Sequence, residues 1–459
     1  MEIMMEGRMT EGRPLPLILQ FAFPLLLGNL LQQTYNIIDA AIVGRILGPN
    51  ALASVGLSTS VQFLILGFCT GMCSGLGVPV ARFFGAGDLK QMRSCIYHGI
   101  LLAAVVAVVL TASCSLLCTW ILRIMSAPEE LFADAYRYLL VIFLGIPFTI
   151  LYNLLAGILR SVGNSRVPFI FLAISTVLNI GLDLFCITVL GWGCAGAAIA
   201  TVMSQAISGI LCLVYILKKA EILHLTSDDR IFRKKDFAMM ASMGIPMGLQ
   251  LSVTAIGSMV MQASNNSLGA VCVSGFTAGT KIKQFAMCPF DAIGTAVSVF
   301  IGQNYGAGKP DRIKQGIISG FASGICYGII SGLVLIFFGR RLSMMFVGAG
   351  ETAILDASAR YLRALGFFYW GLAIVSIGRL MVQGLGHPGK AVAAGIIEMA
   401  ARTVVCLLLV PRLGYTAICF ADQSAWLTAD VFLIPTIFIL YRKVCAEFTR
   451  KNTGSAELS

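Results

Sequence analysis

Twelve apolar runs of about 20 residues or more follow one another along the chain, separated by short stretches of charge, Gly and Pro. A helix of ~20 residues crosses the ~30 Å hydrocarbon layer of a bilayer. No water is available there, so each run must satisfy its own backbone polar groups, which predicts helices. The runs fall at 16–43, 51–80, 95–122, 134–158, 168–190 and 193–217, then 238–264, 270–301, 316–339, 356–383, 391–410 and 414–441. The expected fold class is all-α: a polytopic membrane protein with 12 transmembrane helices. Composition agrees, at 58% hydrophobic and 12% charged, against about a quarter charged for a soluble domain. That excludes a soluble enzyme, a disordered scaffold and a secreted disulfide protein. The 14 cysteines lie singly or as C-x3-C in or beside apolar runs, as small packing residues do. The three histidines, His98, His224 and His387, form no ligand motif, and no metal or other cofactor is expected.

Twelve spans put both termini on one side. The N-terminal tail, the loops on its side and the C-terminal tail carry 21 basic residues; the opposite face carries five. The positive-inside rule then predicts cytoplasmic termini in a plasma-membrane protein. The net charge of +11 is thereby explained by topology rather than by a nucleic-acid partner. The partners expected are the lipid bilayer and small substrates, with the chain a monomer.

The longest internal polar stretch, 218–237, divides six spans from six. Residues 78–88 read VPVARFFGAGD and residues 299–309 read VFIGQNYGAGK, and Pro24 maps onto Pro246 at an offset of 222. With an even number of spans per half, both halves enter from the same side. The repeats are therefore parallel, two pseudo-symmetric six-helix bundles, the usual build of an alternating-access transporter. The lobes expected are 1–217 and 238–441, joined by a cytoplasmic linker at 218–237 and followed by a tail at 442–459. The Gly-Ala-Gly turns read as helix ends. No Walker A motif is present, and neither H-E-x2-H nor G-x-S-x-G occurs, which argues against ATP drive and against an enzyme.

Charged and amide groups inside spans are costly and must face a partner or a cavity. Helix 1 carries Asn29, Gln32, Asn36 and Asp39 at spacings of three and four; helix 5 carries Ser175, Asn179 and Asp183. Each set lies on one helical stripe. Counting ~1.5 Å per residue from the ends puts Asp39, Asp183, Tyr138 and Thr201 at comparable depth in one bundle. Two such carboxylates cannot both ionise cheaply, so one keeps a proton or the pair shares a cation. Oxygen-only ligation suits H+ or Na+. A purely structural role for the two acids is the competing reading. The second half offers instead Lys281, Lys283, Glu398, Arg402, Asp422 and Asp430. A secondary polar cluster of Lys281, Glu398, Arg402 and Asp422 is expected there, as a static ion-pair network or a substrate or coupling site.

The sequence resembles the MATE (multidrug and toxic compound extrusion) family over nearly its whole length. The resemblance rests on P-x10-Y-N-x2-D (Pro24, Tyr35, Asn36, Asp39), V-G-x3-G-x2-A-L-A-x-V-G-x-S across 43–58 and the two GAG turns. R-x2-G-N from Arg160 to Asn164, N-x3-D in helix 5, E-x3-R (Glu398, Arg402) and Trp426 add to it. It is similar to the DinF-like rather than the NorM-like members, since Thr254 and Leu372 stand where the latter carry acids. The resemblance implies an antiporter that exports organic cations or drugs in exchange for H+ or Na+. It implies a cation-coupling site at Asp39, Asn179, Asp183 and Thr201. Tyr35, Asn36, Tyr138 and Gln32 would line the cavity, and helix 1 would bend at Pro24. The alternative is a flippase of a lipid-linked saccharide on the same architecture; such flippases tend to carry several cavity bases for pyrophosphate, and few stand here.

Overall fold

A computed structural model describes residues 8–125 and 127–456. The first seven residues of the expected N-terminal lobe, Ser126, and residues 457–459 of the expected tail lie outside the described residues. Among the described residues there is no strand. Ten helices are long and apolar enough to cross a membrane, and two bent pairs bring the number to 12 if each pair is one span.

The spans are α1 (Pro14–Ile46), α2 (Pro49–Ala86), α3 (Leu89–Ile124), α4 (Glu129–Leu144 and Ile146–Ser161), α5 (Arg166–Leu184) and α6 (Gly193–Lys219). The second half holds α7 (Lys234–Asn266), α8 (Ala270–Gly306), α9 (Pro310–Ser343), α10 (Thr352–Phe367 and Tyr369–Gly384), α11 (Pro388–Val404) and α12 (Tyr415–Ala456). The halves repeat in detail. Gly48 and Gly269, at φ 91° and 92°, precede α2 and α8. The fourth span of each half is bent, by 44° in α4 and 62° in α10. The fifth ends in a π-helical turn, at Phe185–Val189 and Val405–Leu409.

The GAG turns are helix ends. At Gly87 (φ 75°), Gly87 N–H donates to Phe84 O and Asp88 N–H to Phe83 O; at Gly308 (φ 68°), Gly308 N–H donates to Tyr305 O and Lys309 N–H to Asn304 O. This is the paired capping bond of a Schellman end, and glycine supplies the left-handed residue at no steric cost. R-x2-G-N does the same after α4: Asn164 N–H bonds Leu159 O, while Asn164 Oδ1 accepts from Val167 N–H at the start of α5.

Two departures from the sequence reading have local causes. The spans expected at 134–158 and 356–383 are each broken. In α4, Pro147 follows Gly145 by two residues and lacks the N–H for the next ladder bond. In α10 the break falls at Phe368 (φ −116°, ψ 12°), where no proline signals it. The tail expected from 442 instead continues α12 to Ala456. That extension is held by packing: Val444 is buried, Phe448 stacks edge-on against Tyr305, and Tyr305 Oη donates to Glu447 at 2.8 Å.

The chain divides into two compact units, one holding Leu27–Ser252 and the other Met9–Leu26 with Val253 onward. The helix α1 thus changes unit just after Pro24, and α7 six residues after Pro246. In the first unit, α2 carries Gly71 and Gly75 against the backbone of α7. A Cβ there would meet Met247 O and Met243 O at 2.5 and 2.6 Å, the close approach small residues allow between membrane helices. In the second, α9 turns Gly316, Gly320, Gly324, Gly328 and Gly332 inward, all buried. Eleven of the 14 cysteines are buried free thiols.

The segment leading into α7 docks on α3 within the first unit. Asp236 accepts from Gln91 Nε2 (2.8 Å) and Ser94 Oγ (2.7 Å), and Arg233 N–H donates to His98 Nε2 at 2.8 Å. Asp229 Oδ2 accepts from Arg93 Nε (2.8 Å), Thr226 Oγ1 (2.7 Å) and Thr226 N–H (2.9 Å). Burial pushes the Asp229 carboxyl up, but those donors and the Arg93 charge outweigh it and hold it below the usual carboxylate range. A depressed folded value stabilises above the unfolded value of about 4 and is lost as pH falls through the folded one. Asp229→Asn is therefore expected to lower stability by roughly 1.5–3 kcal/mol at neutral pH. The gap between parent and variant in detergent unfolding should close as pH is lowered below about 4; a gap independent of pH would show that the carboxylate charge is not what holds the linker.

Candidate functional site

In the first unit, Asp39 sits in the last two turns of α1, facing α5. The α5 stripe is buried throughout: Ser175, Asn179 and Asp183 are at most 4% exposed. Asp183 stands two residues before the π-helical turn, the kind of ladder defect that membrane and soluble proteins often place at functional sites. Asp39 and Asp183 are each other's acidic neighbours. Among the described residues no group bonds Asp39 Oδ1, either oxygen of Asp183 or either amide atom of Asn179. The Ser204 hydroxyl and Gln205 Oε1 on α6 are also buried without a partner. Native interiors pair nearly all buried polar atoms, so a cluster of orphans calls for an explanation.

The orphans of Asn179, Ser204 and Gln205 border a small cavity lined also by Tyr35, Ser175 and Thr201. Its volume of about 10 Å³ is close to the least that admits one water molecule. Tyr35 and Tyr138 stand near both carboxyl groups, and Gln32 lies beside Tyr35. Tyr138 is itself buried, packed with Val43, Ala51 and Ile142. Gln32 and Asn36 are exposed on the α1 stripe and do not line this cavity. The structure thus brings Asp39, Asn179, Asp183, Thr201, Tyr35 and Tyr138 into one neighbourhood. Ser204 and Gln205 were not singled out from sequence, although they follow Thr201 by three and four residues, the spacing of one helical face. Helix α1 runs unbroken through Pro24.

The second unit holds a longer charge chain. Lys283 Nζ meets Asp422 Oδ2 at 2.7 Å, Arg402 meets Asp422 Oδ1 at 3.0 Å and Glu398 Oε1 at 2.8 Å, and Arg379 meets Glu398 Oε2 at 2.9 Å. Tyr361 Oη donates to Asp422 at 2.9 Å. Glu398, Arg402 and Asp422 are together as expected from their spacing, but Lys281 is not with them. It is exposed, and Lys283 takes the place assigned to it. Positions two apart on a helix point ~200° away from each other, so a single site could not hold both. Arg379, inside the span expected at 356–383, is not among the residues that the sequence reading singles out. Glu398 and Arg402 occupy in α11, just before its π-helical turn, the place that Asn179 and Asp183 occupy in α5.

The MatE family model matches the chain twice, over residues 24–185 and 246–408. The chain belongs to the MatE family. It is 31% identical over 360 residues to the probable multidrug resistance protein YpnP of Bacillus subtilis, covering 78% of this chain and 80% of that one. To the probable multidrug resistance protein NorM of Thermotoga maritima it is 25% identical over 433 residues, covering 92% and 91%. A solved structure described as the outward-facing conformation of a multidrug resistance MATE family transporter of the MOP superfamily superposes with a TM-score of 0.90, at 21% identity over 96% of this chain and 98% of that one. The MatE protein is a membrane transporter and not an enzyme.

Proposed function

We propose that this MatE protein is a secondary antiporter of the plasma membrane, exporting organic cations and drugs in exchange for H+ or Na+ by alternating access. The observation that carries the reading is the neighbouring pair of acids, half-buried Asp39 and fully buried Asp183 with unpaired oxygens, on the same α5 stripe as Asn179, which lines a cavity of single-ion size. Like charges a few Å apart repel by roughly 4 kcal/mol at an effective dielectric of 20. A proton or a sodium ion between them removes that repulsion, so ion entry changes the energy of the site sharply. Asn179 and Thr201 supply neutral oxygens for either ion. Pro24 lies just before the point where α1 passes from one unit to the other, and a proline-weakened ladder is where a helix bends at least cost. The excess of basic residues on one face supports cytoplasmic termini, and the chain works as a monomer in this reading.

The test is uptake of a fluorescent organic cation into proteoliposomes under an imposed pH gradient and, separately, an imposed sodium gradient. One of the two gradients is expected to drive accumulation against the cargo's own gradient. Equal fluxes with and without either ion gradient would overturn the reading in favour of facilitated diffusion or a flippase of a neutral amphiphile.

A further inference from the structure

Past its first two residues, every exposed position on α8 is polar: Ser274, Thr277, Lys281, Gln284 and Asp291. Their spacings of three, four, three and seven residues set them along one face of the helix. A face that meets hydrocarbon looks different. The next span, α9, exposes Ile318, Ile330, Leu333 and Phe337. The α8 face therefore borders water rather than acyl chains, the setting in which ionisable residues occur within membrane spans. The matching positions of α2, 221 residues earlier as for the GAG turns, are exposed as well but carry no charge; Ser60 stands where Lys281 does. Each half thus has an open face on its second span, and only the second half has charge on it.

Lys281 is the charge on that face with no partner. It lies about 16 Å along α8 from Ala270, too far in for its stem to carry the ammonium to the helix end. None of the ion pairs among the described residues includes it, and Lys283, two residues on, is taken by Asp422. Asp291, further along the same face, has Arg379 as a charged neighbour. The unmatched charge of the face is therefore positive. Thr277 stands one turn before Lys281 and Gln284 one turn after it, so a hydroxyl and an amide can donate beside the ammonium. Such a set of donors fits a carboxylate, whose two oxygens take charge-assisted hydrogen bonds. We propose that Lys281 recognises an acidic group on the cargo, and that the cargo bound best is an organic cation that also bears a carboxylate. This narrows the cargo class of the antiport reading and rests on that reading only for the transport that follows binding.

The probes are a rhodamine with a free carboxylate and its methyl ester, which share the cationic ring system and differ in the acid alone. Binding to the full-length purified protein is measured by fluorescence anisotropy, with no ion gradient present. The free acid is expected to bind more tightly than the ester. Lys281→Gln should weaken the free acid by roughly tenfold to a hundredfold, the worth of a hydrogen bond to a charged group, and leave the ester unchanged. Lys281→Arg should keep the preference for the acid. Lys390→Gln removes the same charge from an exposed position at the start of α11 and should change neither probe. A parent protein that binds the ester as tightly as the acid overturns the proposal. So does Lys281→Gln if acid binding is undiminished or if both probes weaken equally. Binding as expected without gradient-driven uptake of either probe would leave the recognition standing and remove the antiport, so the two readings fail separately.

Discussion

Replacing Asp39 with Asn is expected to abolish ion-driven transport while leaving the protein folded. The substitution keeps the shape and size of the side chain and removes only the charge and the ability to titrate. The partner carboxyl of Asp183 then faces an amide, which can donate to it, and the repulsion that an entering ion relieves no longer exists. Asp183→Asn should do the same from the other side. Because both variants break one interaction, the double variant should be little worse than either single. Groups in direct contact commonly show coupling of about 0.5–3 kcal/mol, and here nearly the whole single-variant loss should be shared. The measurement is gradient-driven cargo accumulation in proteoliposomes, with thermal unfolding in detergent as the check on folding. Wild-type accumulation by Asp39→Asn would remove Asp39 from the coupling machinery. Losses that add in the double variant would mean that the two acids act separately.

How much of this site could be read from sequence follows from what periodicity encodes. Spacings of three and four residues put Asn179 and Asp183 on one face, and the hydropathy frame fixed their depth, so their meeting with Asp39 and Tyr138 was legible. Periodicity says nothing about which way a face turns once a helix is bent. The 62° break in α10 has no proline to announce it, and Arg379, just beyond it, went unassigned. Lys281 and Lys283 show the same limit at finer scale. Both are bases two residues apart in one apolar run, and only tertiary packing decides which points at Asp422. The π-helical turns after Asp183 and Arg402 carry no residue signature at all. The extension of α12 past 441 was misread because polar residues end a hydrophobic span without ending a helix; Tyr305 and Glu447 hold the added turns from outside the apolar window.

The largest effect on stability is expected at Asp422. Its carboxylate, 1% exposed, accepts from Lys283 and Tyr361 and pairs with Arg402. Removing it with Asp422→Ala leaves the half-buried Lys283 without its partner, Arg402 with Glu398 alone, and a phenol without its acceptor. Breaking a buried pair from one side costs about 3–5 kcal/mol, because the remaining charge has lost both water and partner. Asp422→Asn keeps an acceptor for Tyr361 Oη but not the charge, and should fall between parent and Ala. The contrast is Arg340 with Asp356, 3.0 Å apart but with side chains 48% and 67% exposed; Asp356→Ala should cost no more than about 1 kcal/mol. Thermal unfolding in detergent compares the two directly. A second comparison separates charge balance from packing: joining Lys283→Met to Asp422→Ala removes the cation left without a partner and should recover part of the loss. Equal destabilisation by Asp422→Ala and Asp356→Ala, or no recovery in the double variant, would mean that the chain from Lys283 to Arg379 does not hold the second unit together.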